Sequence, residues 1–290
     1  MSALGYDFAI FWEAARALLA GHSPYSVPGF FSPLPFLLPV LPLALLPYWA
    51  AFSVWTVFNL AALAVVARRL AHRALLFLPV LFSLWVGQVD LILIALAFTG
   101  TWWGLALAAL KPQLAAWLIP FFVLRWWRAG HKTSIVSMLS TVAALYTVPT
   151  ILDPAWWTAW LEATPSVVQY SEHASSLFGI SALLQPTIPL IVSFAAVSIL
   201  GAAVFFKVKP LSDRRYWSWA AIFNPLANIY SQCILVPQAD WIALVLSWLL
   251  LPLSLHLHTG LPWAVVPVYL LWRARRSPNI APEPTRPTPG

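Results

Sequence analysis

The chain has 290 residues, of which 61% are hydrophobic and only 9% are charged. Because a soluble domain carries about 25% charged residues, this composition excludes a water-soluble globular protein, and the mean hydropathy of +0.80 indicates an integral membrane protein. The net charge of +7 does not indicate a nucleic-acid-binding protein, since the basic residues lie at the ends of apolar runs, where membrane orientation signals belong.

The N-terminal region, residues 1–33, is mixed in character and is predicted to be an external loop. Its stretch 7–20 carries Asp7, Glu13 and Arg16 among apolar and aromatic residues, which predicts a helix lying in the membrane interface rather than crossing the membrane. The first basic residue is Arg16, so no cleavable signal peptide is predicted. Since no Lys or Arg precedes it, we expect this N-terminus to lie on the extracytoplasmic side.

The region 34–272 is filled with apolar segments that are separated by prolines, glycines and short charge clusters. Since a bilayer core about 30 Å thick needs about 20 apolar residues per helix, this region predicts an all-α, polytopic transmembrane helical bundle of roughly eight to ten segments. Some segments are short and are expected to be tilted, broken or re-entrant. The predicted segments are 34–46, 48–67, 74–87, 89–100, 102–110, 114–124, 133–152, 179–206, 217–236, 241–257 and 261–272. Residues 273–290 form a basic, Pro-rich tail that is predicted to be disordered.

Basic clusters orient the middle of the chain. Lys and Arg are favoured in cytoplasmic loops, which places the clusters at 125–132 and 207–215 in the cytoplasm. The loop 153–178 between them holds three acidic residues and no Lys or Arg, and it is therefore predicted to be external. Three further crossings would put the cluster at 273–276 outside, against the same rule, unless 261–272 is re-entrant or one segment does not cross.

Few charged residues interrupt the apolar segments, and Asp90 and Lys111 are the clearest cases. A charge at membrane depth is costly and commonly functional, but each of these residues could instead sit at a helix end in the headgroup region. Asp240 is predicted to lie at the membrane interface and not at membrane depth. The sequence has no motif of a soluble enzyme and no convincing set of metal ligands, so neither a metal nor a cofactor is expected.

The N-terminal third carries an ordered set of motifs. They are Asp7-Phe8, Phe11-Trp12, Gly21 with Pro24-Tyr25, Ser32-Pro33-Leu34, the run Pro42 to Pro47, and Trp55 with Asn59. The middle adds Gly87-Gln88, Lys111-Pro112-Gln113 and the segment 173–179. In this order the motifs resemble glycosyltransferase family 87, a family of membrane glycosyltransferases within the GT-C superfamily. The resemblance is to a short form that lacks the usual first span.

The resemblance implies a GT-C-like fold and a multi-pass enzyme of the plasma membrane. Such an enzyme moves a hexose or pentose, with mannose expected first, from a polyprenyl-phosphate-linked sugar donor to a lipid or glycan acceptor on the extracytoplasmic face. Its expected partners are therefore this donor, the acceptor and membrane lipids, and not nucleic acid. The essential acidic residue of the first external loop would be Asp7, although an Asp at this place is also typical of a simple helix N-cap.

The chemistry of the residues is compatible with this activity. The carboxylate of Asp7 can take the proton that the acceptor hydroxyl loses as it attacks the anomeric carbon. The departing lipid phosphate needs positive or hydrogen-bonding partners, and aromatic rings can stack on the sugar. The predicted donor- and substrate-binding residues are His22, Tyr25, Gln88, Lys111 and His173, and the possible secondary acidic residues are Glu13 and Asp240.

Two other classes of function stay open at the level of sequence. A transporter or lipid flippase should show internal repeats with broken helices in corresponding halves. No repeat is visible, although the Pro-interrupted segment 34–47 could be a broken helix. A non-catalytic membrane scaffold would need no external acidic residue.

Overall fold

The computed structural model describes residues 4–67, 71–163, 174–177, 180, 190–208, 213–223 and 228–276. All regular elements in these residues are helices, and no strand occurs among them, so the all-α prediction is confirmed. The chain divides into two compact units. The first consists of Met1–Arg68 and Phe82–Gln169, and the second consists of Arg69–Leu81 and Tyr170–Gly290.

The first unit opens with α1, Tyr6–Leu19, which is followed by two short 3₁₀ helices, Pro24–Ser26 and Leu34–Leu37. The single turn α2, Leu41–Ala44, precedes α3, Tyr48–Ala67. The break between α2 and α3 follows from Pro47, which has no amide hydrogen with which to continue a helix. Its carbonyl accepts from the amide of Ala51 at 3.0 Å, and α3 begins there.

The next part of the chain is a series of short helices with breaks between them. They are α4 (Ala71–Ala74), α5 (Leu78–Val86), α6 (Asp90–Phe98), α7 (Trp102–Ala108), α8 (Pro112–Arg128), α9 (Lys132–Leu152) and α10 (Trp156–Ala163). The chain bends by 117° between α5 and α6. Gly87 in this bend and Gly100 after α6 have positive φ angles of 76° and 72°, which glycine adopts readily.

The second unit continues with α11 (Leu190–Val208), α12 (Asp213–Phe223), a 3₁₀ helix Ile229–Gln238, α13 (Trp241–Leu257), a 3₁₀ helix Leu261–Ala264 and α14 (Val265–Arg276). The predicted segment 217–236 is thus divided between two elements. The basic residues of 273–276 form the last turn of α14, and the rest of the predicted tail lies outside the described residues.

Two helices in the described ranges, α3 and α9, are long and apolar enough to cross a membrane, and the bent pair α5 and α6 would make a third span. Helices α3 and α9 both carry large apolar side chains on their exposed surfaces, such as Val57 and Phe58 on α3 and Leu139 and Ile151 on α9. Exposed apolar surface of this kind marks contact with lipid or another partner. The described residues do not confirm the expected eight to ten membrane segments.

Helix α1 is fixed to the first unit by one face. Its buried residues include Phe8, Phe11 and Ala15, and their spacing of three and four residues places them on one side of a helix. The ring of Phe8 lies 5.5 Å from that of Trp55 on α3, and the ring of Phe11 lies 4.7 Å from that of Phe36. Burying one such Phe contributes roughly 1.5–3 kcal/mol, so this packing holds the N-terminal end of α1 in place.

Candidate active site

Four polar side chains meet inside the first unit, and we call them the polar network: Asp7, Gln88, Asp90 and Lys111. The amide Nε2 of Gln88 donates to Oδ2 of Asp7 at 2.7 Å. The Nζ of Lys111 donates to Oε1 of Gln88 at 3.1 Å and forms an ion pair with Asp90. Asp90 is fully buried and Lys111 is only 6% exposed, so this ion pair lies in the interior and not among lipid headgroups.

Every member of the polar network comes from a helix end or a bend. Asp7 is in the first turn of α1, Asp90 is the first residue of α6, and Lys111 is the N-cap residue of α8. Negative charge is favourable at a helix N-terminus and positive charge is not. The two carboxylates are therefore stabilised by the N-termini of their helices, whereas the ammonium of Lys111 is not and is stabilised instead by the opposite charge of Asp90. Irregular backbone at membrane depth is tolerated where it is buried in protein or lines a cavity.

Gly87 allows α1 to approach the bend closely. A Cβ at this position would lie 2.6 Å from the Cβ of Phe8, a distance at which side-chain atoms clash. The carbonyl of Gly87 accepts from Nε1 of Trp55 at 2.8 Å, and the amide of Gly5 donates to the carbonyl of Trp85 at 2.7 Å. These contacts tie the start of α1 to the bend and bring Asp7 beside Gln88.

The protonation of Asp7 is set by opposing influences. Burial raises the pKa of the Asp7 carboxyl above its usual value. The hydrogen bond from Gln88 and the charge of Lys111 lower this pKa, and the charge of Asp90 raises it, but the net direction is upward. A carboxylate with a raised pKa is a stronger base, and proton transfer is most efficient when the pKa of the base approaches the working pH.

The polar network lies near one end of the two long helices. The hydroxyl of Tyr146 on α9 donates to the carbonyl of Ala109 at 2.7 Å, two residues before Lys111. Tyr146 is six residues from the end of α9 at Leu152, which at 1.5 Å per residue is about 9 Å. Trp55, which binds Gly87, is seven residues from the start of α3, or about 10 Å.

The other predicted donor- and substrate-binding residues lie elsewhere. His22 is exposed and follows the far end of α1, where its amide donates to the carbonyl of Ala17 at 2.9 Å. Twelve residues of helix separate Asp7 from Leu19, which is about 18 Å, so His22 is not part of the polar network. The hydroxyl of Tyr25 donates to the carbonyl of Ser32 at 3.3 Å, and burial raises its pKa. His173 lies outside the described residues.

The secondary acidic residues also lie outside the polar network. Glu13 is half-buried on α1, six residues after Asp7 and therefore about 9 Å further along the helix. Asp240 belongs to the second unit, where its Oδ1 accepts from the amide of Ala243 at 2.8 Å and caps α13. The same carboxylate accepts from the hydroxyl of Tyr269 at 2.7 Å and pairs with Arg273. These contacts give Asp240 a structural role at the start of α13.

An aromatic cluster lies at the same end of α9 as the polar network, and it consists of Tyr146, Trp156, Trp157 and Trp160. The rings of Trp156 and Trp157 stack with their centroids 4.1 Å apart, and the ring of Tyr146 lies 5.8 Å from that of Trp157. The indole of Trp160 donates to the carbonyl of Phe31 at 2.9 Å. Trp157 and Trp160 keep part of their surface exposed, as a ring that stacks on a sugar must.

Asp90 is not among the site residues predicted from sequence. The signal was present, because Asp90 and Lys111 are opposite charges that each interrupt an apolar run, and charges at membrane depth are commonly paired with one another. What the sequence did not contain was the geometry that places Gln88 between this pair and Asp7.

A comparison with protein-family models matches residues 30–237 to glycosyltransferase family 87. The match covers more than two thirds of the chain and includes Gln88, Asp90 and Lys111, whereas Asp7 lies before it. Comparisons with curated proteins and with solved structures found no significant match.

Proposed function

Because the chain belongs to glycosyltransferase family 87 and is therefore a membrane glycosyltransferase, we propose that it uses a polyprenyl-phosphate-linked sugar as its donor. The sugar is a hexose or pentose, with mannose proposed first, and the acceptor is a lipid or glycan on the extracytoplasmic face of the plasma membrane. The observation that carries this proposal is the polar network, in which a partly exposed carboxylate on a short helix is held by a hydrogen bond from Gln88.

In the proposed reaction Asp7 is the general base. The oxygen of the acceptor hydroxyl attacks the anomeric carbon, and its proton passes to the Asp7 carboxylate. The bond between the anomeric carbon and the phosphate oxygen breaks, and the polyprenyl phosphate leaves with the electron pair. A positioned base contributes roughly 10²–10⁴-fold to such a step, and burial raises the pKa of Asp7 in the direction that this role requires.

The leaving phosphate needs a cationic or hydrogen-bonding partner close to the anomeric carbon. His22 is about 18 Å from Asp7 along α1, which is too far for a phosphate that is bonded to the reacting carbon. The ammonium of Lys111 lies close to Asp7, but its charge is already balanced by Asp90. The role predicted for His173, to bind this phosphate, stays a prediction, because His173 lies outside the described residues.

The side of the membrane follows from the basic residues at the ends of the long helices. Arg68 and Arg69 follow α3, and the cluster at 125–132 joins α8 to α9. If both lie in the cytoplasm, as the positive-inside rule predicts, then the opposite ends of α3 and α9 are external. The polar network is about 9–10 Å from those ends by helix rise, which supports a reaction on the extracytoplasmic side.

The aromatic cluster is the proposed platform for the sugar. Tyr146 links it to the chain beside Lys111, because its hydroxyl donates to the carbonyl of Ala109, two residues before Lys111, while its ring contacts Trp157. A sugar stacked on Trp157 or Trp160 would therefore lie on the Lys111 side of the network. The role predicted for Tyr25, stacking on the sugar, belongs to the same proposal.

The bend between α5 and α6 is one broken helix, whereas a transporter is expected to have broken helices in corresponding halves, and no observation in the described residues favours a scaffold. Membership of a glycosyltransferase family identifies the protein as an enzyme.

The proposal is tested with the purified protein in lipid nanodiscs, radiolabelled polyprenyl-phosphate mannose and a membrane lipid extract as acceptor. The wild type should transfer the label, and Asp7→Asn, which keeps the size of the side chain, should lose roughly 10²–10⁴-fold in rate. Glu162→Gln is the matched control, because Glu162 is an exposed acidic residue on α10, and it should retain the wild-type rate.

Two results would contradict the proposal. Transfer from a nucleotide sugar but not from a polyprenyl-phosphate sugar would show that the donor is wrong. Normal turnover by Asp7→Asn would show that the base is wrong, and Glu13→Gln would then be the next variant to measure.

A further inference from the structure

We propose that Asp90 and Lys111 are a positioning pair that acts through Gln88 to hold the Asp7 carboxylate in one orientation, and that Lys111 does not bind the donor's phosphate. The inference rests on the proposed role of Asp7 as a base. It assigns functions to three residues that come from two separate breaks, one between α5 and α6 and one between α7 and α8.

The orientation of the Gln88 amide is the first step. A lysine ammonium has three donors and no acceptor, whereas an amide has an accepting oxygen and a donating nitrogen. Because Lys111 donates to Oε1 of Gln88, the amide nitrogen must point the other way, to Oδ2 of Asp7. A flipped amide would place two donors against each other at Lys111 and two acceptors against each other at Asp7.

The charge of Lys111 is the second step. A lone ammonium in an apolar interior is strongly disfavoured unless an opposite charge accompanies it. Asp90, which is fully buried, supplies that charge. Without Asp90 the buried ammonium would have no opposite charge to hold it beside Gln88. The orientation of Gln88 would then depend only on the longer hydrogen bond that the amide of Val89 donates to its Oε1 at 3.3 Å.

The net charge of the polar network argues against a phosphate at Lys111. When both carboxylates are ionised the network holds two negative charges and one positive charge, so an approaching phosphate meets net repulsion. The Lys111 side chain is also almost completely buried and is engaged with Asp90 and Gln88. A phosphate could reach the ammonium only by displacing one of these partners.

Steady-state kinetics separate positioning from donor binding. Lys111→Met and Gln88→Met keep the length of the side chain and remove its polar groups. We expect each to lower kcat by roughly 100-fold, the loss expected for a misplaced catalytic group, with the KM for polyprenyl-phosphate mannose within about twofold of wild type. The double variant should be no slower than Gln88→Met alone, because residues that act through one contact are not additive. Two results together would overturn the proposal. One is a higher donor KM in Lys111→Met than in the wild type, and the other is a double variant in which this effect adds to that of Gln88→Met.

Lys111→Met leaves the carboxylate of Asp90 buried and unpaired, which is destabilising. The double variant Asp90→Asn/Lys111→Met removes both charges together and should fold; it should show the same loss of kcat as Gln88→Met. Wild-type kcat in this variant would overturn the proposal. Arg273→Met is the matched control, since it breaks the ion pair with Asp240 in the second unit and should leave kcat unchanged.

A chemical readout needs neither donor nor turnover. Hydrophobic carbodiimides modify protonated carboxyls, so the pH dependence of Asp7 modification, followed by mass spectrometry, reports the pKa of this residue. The groups that face Asp7 are Gln88, Lys111 and Asp90, and Glu13 is the other carboxyl on α1. The hydrogen bond from Gln88 lowers the pKa of Asp7, so Gln88→Met should extend the modification of Asp7 to higher pH. Asp90→Asn/Lys111→Met should show the same extension if the side-chain amide of Gln88 is no longer held in its orientation.

The two failures are distinguishable. If the wild type transfers no sugar from a polyprenyl donor but Gln88→Met still shifts the modification of Asp7 to higher pH, the function is wrong and the positioning is right. If Gln88→Met and Asp90→Asn/Lys111→Met both modify Asp7 over the same pH range as the wild type, the positioning is wrong whatever the reaction is.

Discussion

Gly87→Ala is expected to damage both stability and activity, because it acts on the contact that places Asp7. The added Cβ would lie 2.6 Å from the Cβ of Phe8, and ordinary contact begins at 3.4 Å, so α1 must retreat by about 0.8 Å. The positive φ of 76° adds a backbone cost of roughly 1–2 kcal/mol for any residue with a Cβ. Overpacking adds roughly 1–3 kcal/mol. Since Asp7 is the residue next to Phe8, a shift of this size should also lower the transfer rate by roughly 100-fold.

The matched control is Gly100→Ala. Gly100 has a similar φ of 72° but no atom within 4 Å of its hypothetical Cβ, so this variant carries the backbone cost alone. Thermal unfolding in detergent should rank wild type above Gly100→Ala and Gly100→Ala above Gly87→Ala, and only Gly87→Ala should lose activity. Equal stability and equal activity of the two variants would refute the close approach of α1 to the bend.

Three further predictions follow from the same contacts and from the charge pattern. Trp55→Phe leaves the carbonyl of Gly87 without its indole donor and should lower the free energy of unfolding by roughly 1–3 kcal/mol. In thermal unfolding the exposed control Trp49→Phe should match the wild type. Equal unfolding temperatures of the two variants would contradict a stabilising role of this hydrogen bond. The transfer rate should fall with decreasing pH already above the range in which an ordinary Asp protonates, because the base must be ionised and burial raises the pKa of Asp7; a rate that stays level through that range would argue against Asp7 as the base. A cysteine at Ser166, in a Cys233→Ser background, should react with a membrane-impermeant maleimide in intact cells, and labelling only after permeabilisation would reverse the predicted topology.

The long helices could be predicted closely from the sequence. The predicted segments 48–67 and 133–152 correspond to the helices Tyr48–Ala67 and Lys132–Leu152, because each is a predominantly apolar run, without a charged residue, of the length that a bilayer requires. The predicted segment 114–124 is shorter than the helix that contains it, since α8 runs from Pro112 to Arg128. The prediction ended at the first arginine, whereas basic side chains are favourable in the last turn of a helix.

The structure brings together three of the site residues predicted from sequence, and their roles in catalysis stay predictions. Asp7, Gln88 and Lys111 were all named from sequence, and the structure joins them by hydrogen bonds. Asp90 was recognised only as an unusual charge, because its partner Lys111 is 21 positions away and no helical periodicity links residues across two breaks. His22 was named with this set but lies at the opposite end of α1, since a local motif does not show how far a helix carries its two ends apart.

The proposed role of Asp7 is that of the base in a sugar transfer from a lipid-linked donor. It is tested most directly by comparing wild type and Asp7→Asn in single-turnover transfer from radiolabelled polyprenyl-phosphate mannose, with thermal unfolding measured on the same preparations. We expect transfer by the wild type and a loss of roughly 10²–10⁴-fold in Asp7→Asn with unchanged unfolding temperature. Equal transfer rates for two equally stable proteins would contradict it.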